Sequence, residues 1–373
     1  MAILYISTFY PSSKEPFRGH FVEKQAMLLK EKLNEKLIVI KPMFSSKKIK
    51  INFSCEKIHD IDVYTINFPN PLKELSITIM INIFLWLYNK SFYNLLKNNR
   101  INYIISNDFY SLIIGNLIKD KYNPKHLTIL HGECSFMLEN IAFIRRLYYK
   151  EYEKCDAIIC VSNKVKKYII NKYPQLNKNK IYVNYNGLDK NVIKKYEHYS
   201  FTKNKDLTIC SIGNLFYNKG FDILLSALKD IDIPYKLYII GDGPLRKKLE
   251  RYVKYNSINA IFTGNITNDE VYKYLEKSNY FILPSRNEAF GIVYLEAMIT
   301  KNITIGTKGQ GCEEFIVNGK NGFLINNKDD IKKYLNFNIM NNNKIVENAF
   351  RTARNFTWDR NVDLIYNLCK SGR

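Results

Sequence analysis

The stretch LTICSIGNLFYNKGFDILLSALKD, residues 207–230, decides how the whole chain is read. Its first part, LTICSIG, is an unbroken apolar and β-branched run ending in glycine, as a buried strand would be. Its last part, GFDILLSALKD, returns apolar residues at helical spacing. Strand, short polar loop and helix in that order make one half of a βαβ unit, the building block of parallel sheets.

Outward from there, the same alternation fills the 373 residues. Downstream come the strands KLYIIG, AIFTG, YFILPS and ITIGT, with PLRKKLERYVKY among the helices between them. Upstream, ILYIS, KLIVI, VYTINF, YIIS, LTIL, AIICVS and IYVNYN alternate with helical patterns such as HFVEKQAMLLKEKL. A polar, charged stretch from Lys190 to Asp206 separates the two series. The length suits two domains of roughly 100 to 200 residues each. The expectation is two doubly wound parallel-sheet α/β domains, 1–190 and 191–355, joined near 188–205. The terminal segment FTWDRNVDLIYNLCKSGR, about 356–373, reads as a helix; the sequence does not fix its docking partner, and docking back on the first domain is one option.

Hydrophobic residues make up 46% and charged residues 24%, which excludes disordered and fibrous classes. Lys and Arg outnumber Asp and Glu by 56 to 35, a formal charge of +21 that favours anionic partners such as phosphates or an acidic membrane face. Part of that excess is compositional, since lysine is abundant everywhere. No basic stripe is interleaved with aromatics, so nucleic acid is not an expected partner. Seven scattered cysteines without a C-x-x-C pair argue against a disulfide framework or a zinc site and fit a reducing cytosol. MAILYISTFYPS passes from strand to loop without the basic start and small-residue cleavage site of a signal peptide, so export is not expected. LSITIMINIFLWLY, Leu75 to Tyr88, is too short to cross a bilayer and is interrupted by Ser76, Thr78 and Asn82; a core helix and a membrane-surface helix both stay open.

The distinctive residues follow strands: FYPSSKEPFRG, HGE, GNLFYNKG, GDGP, GN and PSRNEAFG. Ligands of open parallel sheets bind beyond the carboxyl ends of the strands, so these loops are expected to line a cleft shared by the two domains. In PSRNEAFGIVYLEAM a helix should begin near Phe290 to Ile292, and the unpartnered N–H groups of a helix start suit a phosphate. Glu288 lies before that start and Glu296 about one turn inside it. Carboxylates would repel phosphate, but they can accept hydrogen bonds from hydroxyls on either side of it, as in a nucleotide sugar; two solvated glutamates are the plain alternative. Lys219, just before a helix, can neutralise a phosphate oxygen or simply sit at the surface. Asp242 in IIGDGPLRKKLE can be a helix cap. His131 ends a strand, where a structural role is equally open, and Gly19 would let backbone approach a ligand; His20 reads as structural. No metal-ligand spacing, G-x-S-x-G elbow or GKT loop appears, so hydrolase and kinase readings lose support.

Taken in order, STFYPSSKEPFRGHFVEKQA, LHGE, CDAIICVSNKVKKYI, NYNGLD, SIGNLFYNKGFDILLSAL, GDGPLRKKLE, FTGNITNDEVYKYLEKSNYFILPS, EAFGIVYLEAM and GCEEFIVNGKNGFLI resemble the retaining glycosyltransferases of family 4, whose GT-B fold has two facing Rossmann-like domains with a cleft between them. The resemblance spans nearly the whole chain. It implies that Glu288, His131 and Lys219 are catalytic: Glu288 meets donor-sugar hydroxyls, His131 sits against the sugar near the anomeric carbon, and Lys219 meets the diphosphate. It places the backbone of Phe290, Gly291 and Ile292 at the sugar and diphosphate, Glu296 at the ribose diol, Gly264, Asn265 and Ile266 at the base, and Gly19 by the diphosphate and acceptor. Gly213, Asn214, Gly241, Asp242, Gly243 and Ala289 complete the implied donor-binding set. Asn214 departs from the pattern, since many relatives carry Arg there; diphosphate clamping then rests more on Lys219.

The implied reaction moves a sugar from a nucleotide-diphosphate sugar, most simply a UDP-sugar, to an acceptor hydroxyl with retention, without metal or cofactor. The basic surface and the apolar run favour a lipid-linked oligosaccharide acceptor at an anionic inner-membrane surface. That suits a cytoplasmic, peripherally bound hexosyltransferase of bacterial O-antigen, capsule or exopolysaccharide assembly. A GT-B epimerase or phosphorylase, or a non-catalytic nucleotide-sugar binder, is the alternative.

Overall fold

The computed structural model describes residues 2–13, 19–45, 52–69, 89–132, 142–198, 203, 206–336 and 343–371. They fall into two compact units, one of Met1–Asn184 with Asp359–Arg373 and one of Tyr185–Trp358. Each is an α/β domain on a largely parallel sheet.

In the first unit the sheet runs β3-β4-β2-β1-β5-β6-β7-β8. Its centre is β1 (Ala2–Ile6), flanked in parallel by β2 (Lys36–Ser45) and β5 (Ile101–Ser106), with β6 (Lys125–Leu130), β7 (Ala157–Cys160) and β8 (Ile181–Val183) beyond β5. Every residue of β1 is buried, so the run reads as continuous apolar sequence, as a strand covered on both faces must. The opposite edge holds a departure from the expected all-parallel pattern. β3 (Asn52–Ile58) pairs antiparallel with β4 (Ile61–Pro69) across a two-residue turn, His59 and Asp60, both at positive φ. That left-handed pair is the turn geometry that suits a tight hairpin.

The second unit has the order β11-β10-β9-β12-β13-β14, all parallel. The strands are β9 (Leu207–Ile212), β10 (Tyr235–Ile240), β11 (Ala260–Gly264), β12 (Tyr280–Leu283), β13 (Ile303–Thr307) and β14 (Phe323–Ile325). The chain moves outward from β9 to β11 and returns to place β12 on the other side of β9. The loops after β9 and β12 therefore diverge from a topological switch point, where doubly wound sheets open a crevice. The first unit has the same feature between β1 and β5.

The last helix, Trp358–Lys370, contributes to the first unit from Asp359 on. Within that unit it is held by buried polar contacts: Gln25 Nε2 donates to Asn361 Oδ1 at 2.6 Å, and Asn184 Nδ2 to the Asn361 carbonyl at 2.9 Å. The apolar run Leu75 to Tyr88 lies outside the described residues. Among the described residues no helix is long and apolar enough to cross a membrane.

Candidate active site

The switch point of the second unit brings two loops together, beginning with backbone geometry. Gly220 sits in the left-handed region at φ 70, and a Cβ there would lie 2.0 Å from the Pro284 carbonyl oxygen. Only glycine lets the β9 loop pack this closely on the β12 loop. The Asn218 carbonyl then accepts from the N–H of Arg286 at 2.7 Å and of Asn287 at 3.3 Å. Arg286 closes the clamp: it donates to both oxygens of Asp222 at 2.7 and 2.6 Å and to the Tyr217 carbonyl at 2.9 Å, and lies 4.0 Å from the centre of the Tyr217 ring.

This weld sets Lys219 Nζ 2.7 Å from Glu288 Oε2. Glu288 is buried, and its backbone is fixed by Gln310 Oε1, which accepts its N–H at 2.9 Å, and by the N–H of Gly311, which donates to its carbonyl at 2.9 Å. Three residues on, Gly291 adopts φ 83 and opens the helix Ile292–Ile299, with no side chain capping it. A Cβ at Gly291 would meet the Tyr294 ring at 2.6 Å. The N–H groups of Ile292 and Val293 find no acceptor among the described residues. They form a small positive end beside a lysine, an arrangement suited to an anion. Phe290 turns its ring into the core against Tyr185 and Phe315, so what it offers the turn is backbone.

Glu296, about one turn inside the helix, is as buried as Glu288, but its side chain makes no hydrogen bond or ion pair among the described residues. Burial pushes its carboxyl up to about 7. The two glutamates thus differ in kind, one charge-matched and one not.

The remaining donor-loop residues pack beside these. Gly241 donates to the Gly264 carbonyl at 2.9 Å, and a Cβ on Gly241 would strike the Gly213 carbonyl oxygen at 2.2 Å. Asp242 accepts from the N–H of Gly243 at 2.7 Å and pairs with Arg246 at 3.1 Å, so it orders its own turn. Asn214, Asn265 and Ile266 reach outward, Asn214 and Asn265 exposed and Ile266 half-buried; Ala289 is half-buried. Asn214 makes no side-chain hydrogen bond among the described residues, which leaves Lys219 as the cation of this turn.

His131 and Gly19 belong to the first unit, at the carboxyl ends of its strands. A Cβ at Gly19, φ 70, would fall 1.7 Å from the Phe9 carbonyl oxygen, so the loop's own packing demands glycine there. His131 follows β6, with Nε2 2.7 Å from Asn107 Oδ1 and the Phe21 ring at 4.9 Å, edge to face. Burial pulls its pKa down to about 4, so the ring is neutral at ordinary pH. His20 is paired with Glu23 at 3.7 Å. Asn107, Arg246, Arg286 and Gln310 were not singled out in the sequence. Only Asp242, Arg246 and Glu250, spaced i, i+4, carry a local signal there. Among the described residues no group of three or more His, Cys, Asp or Glu could hold a metal ion.

Comparison with known proteins places the geometry in a family. Residues 193–355 match the model described as "Glycosyl transferases group 1" and residues 56–192 the model "Glycosyltransferase Family 4". An uncharacterized glycosyltransferase of Methanocaldococcus jannaschii is 33% identical over 306 residues, covering 79% of this chain and 81% of that one. A 41.2 kDa protein in the cps region of Klebsiella pneumoniae is 28% identical, over 63% of this chain and 68% of its own. The solved structure of Anabaena Alr3699/HepE in complex with UDP and glucose superposes with a TM-score of 0.73 at 17% identity, over the whole of both chains. The chain belongs to the group 1 glycosyltransferases of family 4 and has their GT-B fold of two parallel-sheet α/β domains.

Proposed function

We propose that this glycosyltransferase moves a sugar from a UDP-sugar to a hydroxyl of a lipid-linked oligosaccharide, with retained anomeric configuration and without a metal. The observation that carries the reading is the Lys219–Glu288 pair at the switch point, beside an uncapped helix start. Lysine and the N–H groups of Ile292 and Val293 match a diphosphate; Glu288 beside them matches sugar hydroxyls, and Glu296 a ribose diol. Gly264, Asn265 and Ile266 are the proposed base contacts.

The chemistry then needs electrostatics rather than a protein nucleophile. The bond between the anomeric carbon and the phosphate oxygen breaks as the acceptor oxygen attacks the same face, and that phosphate oxygen takes the acceptor's proton. Charge grows on the diphosphate as the bond lengthens, and donors already aimed at it stabilise that charge without reorganising. Lys219 also faces Glu288, so the cation is oriented before substrate arrives.

For the acceptor, the +21 charge suits a peripheral role on an anionic inner-membrane surface at its cytoplasmic face. The Klebsiella cps-region relative supports surface polysaccharide assembly, as capsule, O-antigen or exopolysaccharide. The test is a thermal-shift screen of UDP-, GDP-, ADP- and dTDP-sugars on wild type and Glu288→Ala, followed by NMR of the product's anomeric coupling. A shift with UDP-sugars that the substitution removes, and an unchanged anomeric configuration, is the expected result. No shift with any donor, or an inverted product, would overturn the reading. Failure to bind anionic vesicles at moderate salt would remove the membrane part alone.

A further inference from the structure

Two histidines of the first unit, His126 and His131, have buried ring nitrogens, and their surroundings differ in one respect. His126 has both ring nitrogens engaged, Nδ1 with Asn116 Oδ1 at 2.7 Å and Nε2 with Ser106 Oγ at 2.9 Å, as an internal histidine should. His131 has one: Nε2 meets Asn107 Oδ1, while the buried Nδ1 has no partner among the described residues. Leaving a buried polar atom unmatched is unfavourable, which calls for a reason.

We propose that Asn107 is a positioning residue that holds His131 as the Nε2–H tautomer and so reserves Nδ1 to accept a hydrogen bond from a hydroxyl of the sugar donor. This deepens the proposed function and rests on it.

The direction of the bond is set by what lies behind Asn107. Its backbone is fixed, since its N–H donates to the Ile6 carbonyl at 3.0 Å and the next residue, Asp108, accepts from Thr8 N–H and Ser111 N–H, each at 2.9 Å. Behind it a run of buried side chains reads in one direction. Asn361 Oδ1 accepts from Gln25 Nε2, and Gln25 Oε1 accepts from the Tyr5 hydroxyl. Tyr5, having spent its proton on Gln25, has only acceptor capacity left for Asn107. Oδ1 is the end of the Asn107 amide that meets His131, and Nδ2, the other end, makes no hydrogen bond among the described residues. With the amide nitrogen toward Tyr5, Oδ1 faces His131 and accepts, so the proton sits on Nε2 and the lone pair on Nδ1. Asn361, Gln25, Tyr5 and Asn107 are each buried, so water does not scramble the order. The reversed order, with every amide turned over, would put the proton on Nδ1; the two orders predict opposite tautomers and are separable.

The experiment uses the full chain labelled with 15N-histidine, with His131 identified by its loss in His131→Gln. The expected spectrum at neutral pH shows Nδ1 as the unprotonated, pyridine-type nitrogen and Nε2 as the protonated one. A protonated Nδ1, or an imidazolium at neutral pH, overturns the proposal, and neither result depends on finding a substrate. Two variants then test the positioning role. In Asn107→Ala, kcat/KM should fall about 10- to 100-fold, the range for losing a partner that orients a functional histidine, while UDP alone binds as in wild type. In Asn107→Asp the carboxylate keeps the tautomer but favours the imidazolium, so turnover should gain a new limb that rises with pH between about 5 and 8. Unchanged kcat/KM in Asn107→Ala, or an Asn107→Asp pH profile matching wild type, overturns it. The predicted tautomer in a chain that turns over no nucleotide sugar would sink the functional reading instead.

Discussion

Replacing Lys219 with Met removes the lysine charge set against buried Glu288 at 2.7 Å. At an effective dielectric of about 20 the pair's gross attraction is roughly 6 kcal/mol, most of it cancelled by the desolvation of both groups. What the single substitution costs is the stranded carboxylate, 3–5 kcal/mol for a fully buried pair. The side chains retain 22% and 10% exposure, so water screens part of it and about 3 kcal/mol is expected. For a unit of about 170 residues each kcal/mol moves Tm by about 2–4 °C, so Lys219→Met should melt about 6–12 °C lower. Glu288→Gln should cost only about 1 kcal/mol, because the amide oxygen still accepts from the lysine. The double variant should recover about 2 kcal/mol over Lys219→Met, since no charge is left unmatched.

Activity should not follow stability. All three variants are expected to lose about 10²-fold or more in kcat/KM, since charge-assisted hydrogen bonds of about 1.5–3 kcal/mol to the diphosphate or sugar are gone in each. Calorimetric melts and steady-state kinetics on the same preparations measure both. Strictly additive stability losses would refute the pairing, and a double variant that regained turnover along with stability would refute the functional assignment of both residues.

Three further outcomes follow from the same geometry. Burial raises the Glu296 carboxyl from 4.5 to about 7, so the folded chain holds that proton more tightly than the unfolded one; the group's contribution is complete below pH 4.5 and is lost as pH rises through 7. A ribose diol donates to the ionised form, so nucleotide-sugar affinity by titration calorimetry should rise from pH 6 to pH 8. Glu296→Gln should abolish that rise while stabilising the free protein at pH 8; a flat wild-type profile would count against the diol contact. Gly220→Ala should lower Tm by well over the change in Gly309→Ala. Both glycines lie at positive φ, but only Gly220 has a backbone carbonyl, Pro284, 2.0 Å from the added Cβ, whereas Gly309 has nothing within 4 Å. Equal melting shifts would show that the loop weld is not rigid. Arg286→Leu, which opens the Asp222 and Tyr217 contacts, should raise KM for the donor more than it lowers kcat. A pure kcat loss would place Arg286 in the chemistry rather than in loop positioning.

The strands at the switch points were legible because each is buried on both faces, which forces a continuous apolar run. β3 was not: NFSCEKI is an edge strand whose register is set by pairing with β4 and whose polar residues obey no core. β14 is three residues long, too short for any period to show. The glycines of the loops were legible as breaks but not as contacts. Gly19 and Gly220 are required by carbonyls at Phe9 and Pro284, ten and sixty-four residues away in sequence. The Asn107–His131 pair is hidden for the same reason, since it exists only because β5 and β6 are neighbours.

The same holds for the two acids that look equivalent in EAFGIVYLEAM. Spacing alone assigns both to hydroxyls flanking a phosphate, but the topology that lays β12 beside β9 delivers Lys219 to the first, while the second has no side-chain partner among the described residues. A carboxylate held against a lysine is fixed in direction, so it suits a role in orienting the sugar at the reacting end. A carboxylate buried alone gains most from a partner that arrives with the ligand, because binding then supplies the hydrogen bonds that the empty site lacks. Glu296 is in that sense the residue through which the free protein should register that a nucleotide has bound, and its ionisation, followed by carboxyl-labelled NMR with and without UDP, is expected to move down on binding.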